Sequence, residues 1–200
     1  GTFILWFGWY GFNGVSTLYI VGFSAVAAKT MVTTTIGAAA GALTTVIIGK
    51  INKGYVDMDL VGNGVLAGLV SITGPCSTCE PYGAFAIGII GGFVYYYSSE
   101  LLLWLKIDDV VNAIPVHGFC GAWGVIAANS FATNFNYEDA YYSDRAMKCS
   151  GFLYNGGEAQ AVSGALLLVC FILAWVGGSM AIVFGILSYF GLARVDEEAE

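Results

Sequence analysis

Long apolar stretches dominate the chain and are separated by short polar segments. Six of them have the length or composition of membrane-crossing helices, at about 1–17, 24–49, 60–73, 82–105, 110–132 and 161–190. A helix needs roughly 20 apolar residues to cross the ~30 Å hydrocarbon core of a bilayer. The stretches do not alternate with a period of two residues, as strands of an outer-membrane barrel do. The pattern therefore predicts an all-α, polytopic membrane protein with six transmembrane helices.

The composition supports a lipid-covered protein. The chain has 200 residues, of which 58% are hydrophobic and only 10% are charged, whereas soluble domains carry about 25% charged residues. The net charge of -7 argues against a nucleic-acid partner. The chain starts within an apolar run and without Met, so we expect its natural N-terminus upstream, and no signal peptide is visible. No nucleotide-binding loop or zinc-protease motif occurs, and we predict neither a cofactor nor a metal site.

The basic residues predict an orientation in the membrane. With six spans, the loops after the second, fourth and sixth spans lie on the same side. That side holds four of the seven basic residues, Lys50, Lys53, Lys106 and Arg194, and the long 133–160 loop on the other side holds two. Because basic loops stay in the cytosol, the C-terminus is predicted to be cytosolic. Residues 193–200 would then begin a cytosolic tail.

Three of the five cysteines, Cys76, Cys79 and Cys149, fall in loops on the predicted outer side. An oxidising exterior permits a disulfide among them, but its connectivity cannot be deduced from sequence. The Cys-x-x-Cys spacing lacks a second pair or a nearby histidine, so a zinc site is disfavoured.

Ionisable residues inside a membrane span are functional candidates. The only histidine, His117, lies within the fifth predicted span. A neutral imidazole in an apolar lumen can exchange a hydrogen bond with a small polar solute; the alternative is a structural bond to a neighbouring helix. Asp108 and Asp109 precede this span and are predicted to cap the helix start. A proton or cation route through these two acids is the less favoured alternative.

The first span carries an aromatic and hydroxyl face. Trp9, Phe12 and Ser16 follow at i, i+3 and i+7, which places them on one side of a helix. Aromatic faces attract ammonium-type cations by about 0.5–2 kcal/mol, and a hydroxyl one turn away can accept a hydrogen bond from such a cation. The alternative, which the pattern alone favours, is an aromatic belt at the membrane interface.

Several segments resemble one family. The segment 1–16 is similar to the sixth helix of ammonium transporters of the Amt/Mep/Rh family. Asp108-Asp109 together with 116–121 resembles that family's tenth-helix signature, and 63–69 and 191–195 resemble its eighth helix and the start of its tail. The run 30–36 resembles the plant and protist branch. The resemblance covers the whole chain, as helices six to eleven of an eleven-helix, inverted-repeat transporter.

This resemblance implies a role for each candidate residue. Phe12 would be one of two stacked phenylalanines that gate the outer mouth, and Ser16 would belong to the external ammonium-recruitment site. Trp9 would line the lumen, and His117 would be one of two paired pore histidines. Asn112 stands where many relatives carry an aspartate. The partner histidine, the second gate phenylalanine and the recruitment tryptophan lie on helices one to five in the family, so this chain alone cannot enclose a pore.

The implied function is ammonium transport, with methylammonium as an analogue, by a homotrimeric channel or transporter in the plasma membrane. The alternative is an ammonium sensor, or transceptor, that signals to a cytosolic regulatory protein through its tail. We do not predict an enzyme. An intramembrane enzyme built on His117 and Asp108 or Asp109 lacks a second histidine or a nucleophile at a fitting spacing.

Overall fold

The computed structural model describes residues 1–141, 149–154 and 159–193, and this part of the chain is helical without strands. The helices are α1 (Thr2–Gly14), α2 (Ser24–Lys53), α3 (Met58–Thr73), α4 (Pro81–Leu105), α5 (Cys120–Phe131), α6 (Asn134–Tyr141) and α7 (Ala159–Tyr189). A 3₁₀ turn at Val15–Thr17 extends α1, and a π-helical segment at Ile114–Phe119 leads into α5. The predicted all-α class is confirmed.

Three of the described helices, α2, α4 and α7, are long and apolar enough to cross a membrane. The 16-residue α3 is apolar but shorter. The remaining predicted spans correspond to α1 with its 3₁₀ turn and to the helical stretch from Ile114 to Phe131.

The chain divides into two compact units, Gly1–Val162 and Ser163–Glu200. The described part of the second unit is mainly α7. The 31 residues of α7 span roughly 46 Å at 1.5 Å per residue, and its most apolar stretch has a mean hydropathy of 2.5. All candidate site residues lie in the first unit.

In the first unit, α2 packs closely on α3 and α4 through glycines. A Cβ added at Gly41 would lie 2.5 Å from the carbonyl oxygen of Gly64 and 2.9 Å from the Cα of Gly68. A Cβ added at Gly68 or at Gly88 would collide with the carbonyl oxygen of Gly37. Small residues allow the backbones of membrane helices to approach this closely. The glycine contacts therefore set how α3 and α4 lie against α2.

The ends of α2 and α3 follow ordinary capping chemistry. At the end of α2, Gly54 takes a left-handed conformation with φ 81° and donates its N–H to the Lys50 carbonyl. Lys50 and Lys53 lie in the last turn, where positive charge favours the helix dipole. Asp57 then caps α3 by accepting a hydrogen bond from the N–H of Asp59, at 3.0 Å.

The fifth span begins later than the hydrophobic pattern indicates. A turn closes from the Asn112 N–H to the Asp109 carbonyl, and Asn112 has a left-handed φ of 55°. The six-residue π-helical segment follows, with Pro115 in its first turn. Proline has no N–H to donate, and π-helical turns are uncommon and are often found at functional sites.

The predicted 133–160 loop contains a helix that sequence analysis did not anticipate, the eight-residue α6. The Thr133 hydroxyl accepts from the Asn136 N–H at 3.3 Å, and Asn136 donates its side-chain amide to Glu80 at 2.7 Å. A cap and one tertiary contact thus stabilise a segment that has little apolar pattern of its own. Arg145 and Lys148 of this loop, and the tail from Arg194 to Glu200, lie outside the described residues.

Candidate functional site

Trp9 and Phe12 form the aromatic face of α1. Their rings meet edge to face, with centroids 5.9 Å apart and planes at 84°. Trp9 is half-buried, and its indole N–H donates to the Thr73 hydroxyl at the end of α3, at 2.8 Å. Phe12 is 60% exposed. The hydrogen bond anchors one ring to α3, while the other ring stays accessible on the surface of this chain.

Ser16 lies one turn beyond Phe12, in the 3₁₀ turn that extends α1. Its hydroxyl donates a short hydrogen bond to the Phe12 carbonyl oxygen, and the side chain is exposed. Because a hydroxyl has one proton and two acceptor lone pairs, Ser16 keeps acceptor capacity toward the surface. An aromatic face and a free acceptor therefore adjoin at this end of α1.

His117 lies in the π-helical segment and is exposed on this chain. Its neighbours Val116 and Cys120 are buried with Tyr95 and Ala67 in one apolar cluster. No described residue forms a hydrogen bond with the imidazole. The buried neighbours hold the segment in place, and the ring faces away from that packing. The expected burial of His117 in an apolar lumen is therefore not provided by the described residues.

Helix α3 contacts both α1 and the segment that carries His117. Leu66 packs against the cluster of Val116 and also against the cluster that includes Trp9. Asn63, Leu66, Val70 and Thr73 follow at i, i+3, i+7 and i+10, so they share a helix face, and each is partly exposed. This face of α3 connects the tryptophan and histidine regions with a largely apolar surface. Thr73 was not among the site residues predicted from the sequence, although its helical spacing from Asn63 is present there.

A second group of polar residues surrounds a cavity of about 550 Å³ between the start of α3 and the end of α4, away from Thr73. Asp108 and Asp109 both line it. The Asp109 carboxylate accepts from the N–H of Ala113 at 2.9 Å and of Ile114 at 2.7 Å, whereas Asp108 is exposed and has no hydrogen bond among the described residues. Asp109 thus satisfies free donors where helical structure begins, as a capping acid does.

Asn112, the departure from the family pattern, accepts a hydrogen bond from the Ser99 hydroxyl at 2.8 Å through its side-chain oxygen. A neutral amide therefore makes the tie between this turn and α4. Asparagine also tolerates the left-handed conformation found here better than most residues do.

The five cysteines are free thiols. Burial raises the pKa of the Cys76 thiol to about 11 and that of Cys79 to about 12. Both thiols are therefore protonated at neutral pH and poor as nucleophiles or metal ligands. Within the described residues, no group of histidine, cysteine and acidic side chains is arranged to hold a metal ion.

A family model described as the Ammonium Transporter Family matches residues 1–200. The chain belongs to the ammonium transporter family. It is 40% identical to ammonium transporter Amt2 of Archaeoglobus fulgidus, over all of this chain and 41% of that protein. It is 37% identical to ammonium transporter 1 member 1 of Arabidopsis thaliana and 35% identical to ammonium transporter 3 of Dictyostelium discoideum. Those matches also cover all of this chain, with 41% and 46% of the two proteins.

Solved structures of the family share the fold. Saccharomyces cerevisiae Mep2 superimposes with a TM-score of 0.84 at 26% identity, over 98% of this chain and 43% of that one. A structure described as a sensor Amt protein gives 0.84 at 29% identity, over 98% of this chain and 45% of that one. The chain thus spans about two fifths of the length of its curated relatives. It is part of a membrane transporter fold, as the resemblance implied.

Proposed function

We propose that the complete transporter containing this chain moves ammonium nitrogen across a membrane. Ammonium is taken up at an outer mouth formed in part by Phe12 and Ser16, and ammonia or ammonium then passes Trp9 and His117 along a dry lumen. The observation that carries the proposal is the edge-to-face Trp9–Phe12 pair with the Ser16 hydroxyl one turn beyond it.

The chemistry of this pair addresses the main problem of selectivity. Ammonium and potassium ions have similar sizes, so a sieve cannot separate them, but only ammonium donates hydrogen bonds and can lose a proton. The aromatic face offers about 0.5–2 kcal/mol to a cation, and the Ser16 oxygen accepts a hydrogen bond that potassium cannot supply. An apolar lumen then penalises a bare ion by at least several kcal/mol.

His117 supports the passage of a neutral or protonated solute. Its exposed imidazole has both a donor and an acceptor nitrogen available. In the proposed transporter, the other half of the molecule covers this face and supplies a second histidine. The pair would form hydrogen bonds with ammonia and provide a path for a separate proton.

The arrangement in the cell is also part of the proposal. The excess of basic residues after α2 and α4 favours a cytosolic C-terminus. We propose a homotrimer in the plasma membrane, with Ser16 facing the outside. The transporter does no covalent chemistry.

The test is methylammonium uptake by the full-length protein in yeast cells that lack their own ammonium transporters. Replacing Ser16 with alanine should raise the apparent KM about tenfold, because a hydrogen bond to a charged group contributes about 1.5 kcal/mol. Replacing His117 with alanine should lower the maximal flux or allow potassium to pass. The matched control is Ser179→Ala, since Ser179 also donates to a backbone carbonyl of its own helix but lies in α7. Unchanged uptake and unchanged potassium exclusion in the Ser16 and His117 variants would overturn the proposal.

A second candidate function is ammonium sensing with little transport. It is favoured by the structural relative described as a sensor Amt protein. A signalling domain following residue 200 in the full gene would support it. A sensor should still bind ammonium after His117→Ala and signal normally, whereas a transporter should lose its physiological effect together with flux.

A further inference from the structure

A small cavity of about 110 Å³ lies beside Ser16, where the ends of α1, α3 and α6 meet the first turns of α2. Its lining is mainly hydroxyl and amide side chains, with Asn13, Ser16, Thr17, Thr30, Thr73 and Ser77 among them. A water molecule occupies about 30 Å³ in the liquid, so the cavity has room for a few molecules of that size. We call this cavity the serine chamber.

Thr30 provides the second observation. It lines the serine chamber and is only 1% exposed, yet its hydroxyl has no hydrogen-bond partner among the described protein atoms. Other threonines of α2 behave differently: the hydroxyls of Thr34 and Thr35 donate to carbonyls four residues earlier. A buried hydroxyl without a partner is costly, and such groups are usually satisfied by a bound molecule. The Thr30 hydroxyl therefore indicates a ligand in the chamber.

The other walls limit what that ligand can be. None of the described side chains that line the chamber is charged, so these walls offer no ionic partner to an anion or a divalent cation. The Asn13 amide donates to Thr34 at 3.0 Å, and Thr73 both accepts from Trp9 and donates to the Leu69 carbonyl at 2.7 Å. These bonds fix part of the walls, whereas the Thr30 hydroxyl is buried without a partner among the described protein atoms. The ligand is therefore small and forms several hydrogen bonds with neutral hydroxyl and amide groups.

The position of the chamber gives it a role in recruitment. Ser16 is shared between the chamber and the outer surface, and Thr73 is shared between the chamber and the Trp9 ring. An ammonium ion at Ser16 must exchange water for protein contacts before it enters an apolar lumen. A hydrogen-bonding molecule held beside Ser16 can replace part of that lost hydration.

We propose that the serine chamber is a second binding station for a small hydrogen-bonding solute, either water or ammonium, held by Thr30 beside Ser16. The proposal rests on the transport function proposed above. Removing the Thr30 hydroxyl should weaken ammonium recruitment, because Thr30 lines the chamber beside Ser16. The rate of passage should not change, because Thr30 is buried and is not on the exposed surface that carries His117.

The first test is a structure of the full-length protein, determined once without ammonium salts and once with methylammonium. Density next to the Thr30 hydroxyl in both structures identifies water. Elongated density found only with methylammonium identifies the cation. A chamber filled by protein side chains, or one without density beside Thr30 in either structure, would overturn the proposal. This test uses the unmodified protein and does not depend on how a variant folds.

The second test compares Thr30→Val with Thr30→Ser in methylammonium uptake. Valine keeps the shape and removes the hydroxyl, and serine keeps the hydroxyl. We expect Thr30→Val to raise the apparent KM by about two- to tenfold, the range for one lost hydrogen bond, with an unchanged maximal rate and normal trimer elution. Thr30→Ser should match the parent. A wild-type KM in Thr30→Val would refute the chamber alone, whereas absent uptake by the parent protein would refute the transport function.

Discussion

The hydrogen bond from the Trp9 indole to the Thr73 hydroxyl is predicted to hold α1 against α3. The two residues are 64 positions apart, and the atoms lie 2.8 Å from each other. Thr73→Val removes the acceptor and leaves a half-buried indole N–H unpaired. Because an unsatisfied buried donor costs about 1–3 kcal/mol, the free energy of unfolding should fall by an amount in this range. Thr73→Ser keeps the hydroxyl and should lose about 1 kcal/mol or less, the contribution of one methyl group.

A double-mutant cycle isolates this bond. Thr73 also donates to the Leu69 carbonyl. Thr73→Val removes that bond in the parent protein and in the Trp9→Phe variant alike, so its loss cancels in a double-mutant cycle of the two changes. We expect a coupling energy of about 1 kcal/mol. The measurement is reversible unfolding of the full-length protein in mixed micelles, followed by circular dichroism during titration with sodium dodecyl sulfate. Additivity of the two changes within about 0.3 kcal/mol would refute the reasoning.

Four further predictions concern packing, the reactivity and the ionisation of a thiol, and a helix cap. Gly68→Ala should lower the free energy of unfolding by about 1–3 kcal/mol through overpacking, whereas Gly8→Ala, where a Cβ meets no atom within 4 Å, should not; equal thermal midpoints would contradict this. The Cys76 thiol should resist iodoacetamide at pH 8 in the folded protein and react after denaturation, because burial raises its pKa to about 11, and mass spectrometry of the peptides checks it. The same shift should weaken folding as the pH rises from the ordinary thiol value of 9.0 toward 11, since only the unfolded thiol ionises in that window. Asp109→Ala should cost about 1 kcal/mol of stability through the lost cap, and Asp108→Ala should be silent in the same thermal unfolding assay.

Much of the candidate site follows from local patterns in the sequence. The 3.6-residue period predicts that Trp9, Phe12 and Ser16 share one helix face, and the structure gives Trp9 and Phe12 in α1 with Ser16 in the 3₁₀ turn that extends it. The two aspartates before the fifth span were expected to cap a helix, and the structure gives Asp109 two backbone N–H partners. The roles of these residues in transport remain predictions, because they depend on the half of the transporter that this chain does not contain.

The parts that could not be predicted are those that depend on long-range contacts. Neither Thr73 nor Thr30 was predicted to be a site residue, since the hydroxyl of a threonine in an apolar helix usually forms a hydrogen bond with its own backbone. The helix α6 was also missed, because its tie from Asn136 to Glu80 joins positions 56 residues apart.

The amino-acid sequence alone determined that this protein is an all-α membrane protein of the ammonium transporter family. The length of each apolar stretch and the family motifs are local properties of the sequence, so they can be identified without tertiary structure. The sequence also determined which side chains share a face of α1. Only the tertiary structure decided that Trp9 is tied to Thr73, that Ser16 adjoins a polar chamber, and that His117 projects from a π-helical turn. The physical reason is that glycine contacts set the packing of α2, α3 and α4, and those contacts depend on interhelical distances that no local period encodes.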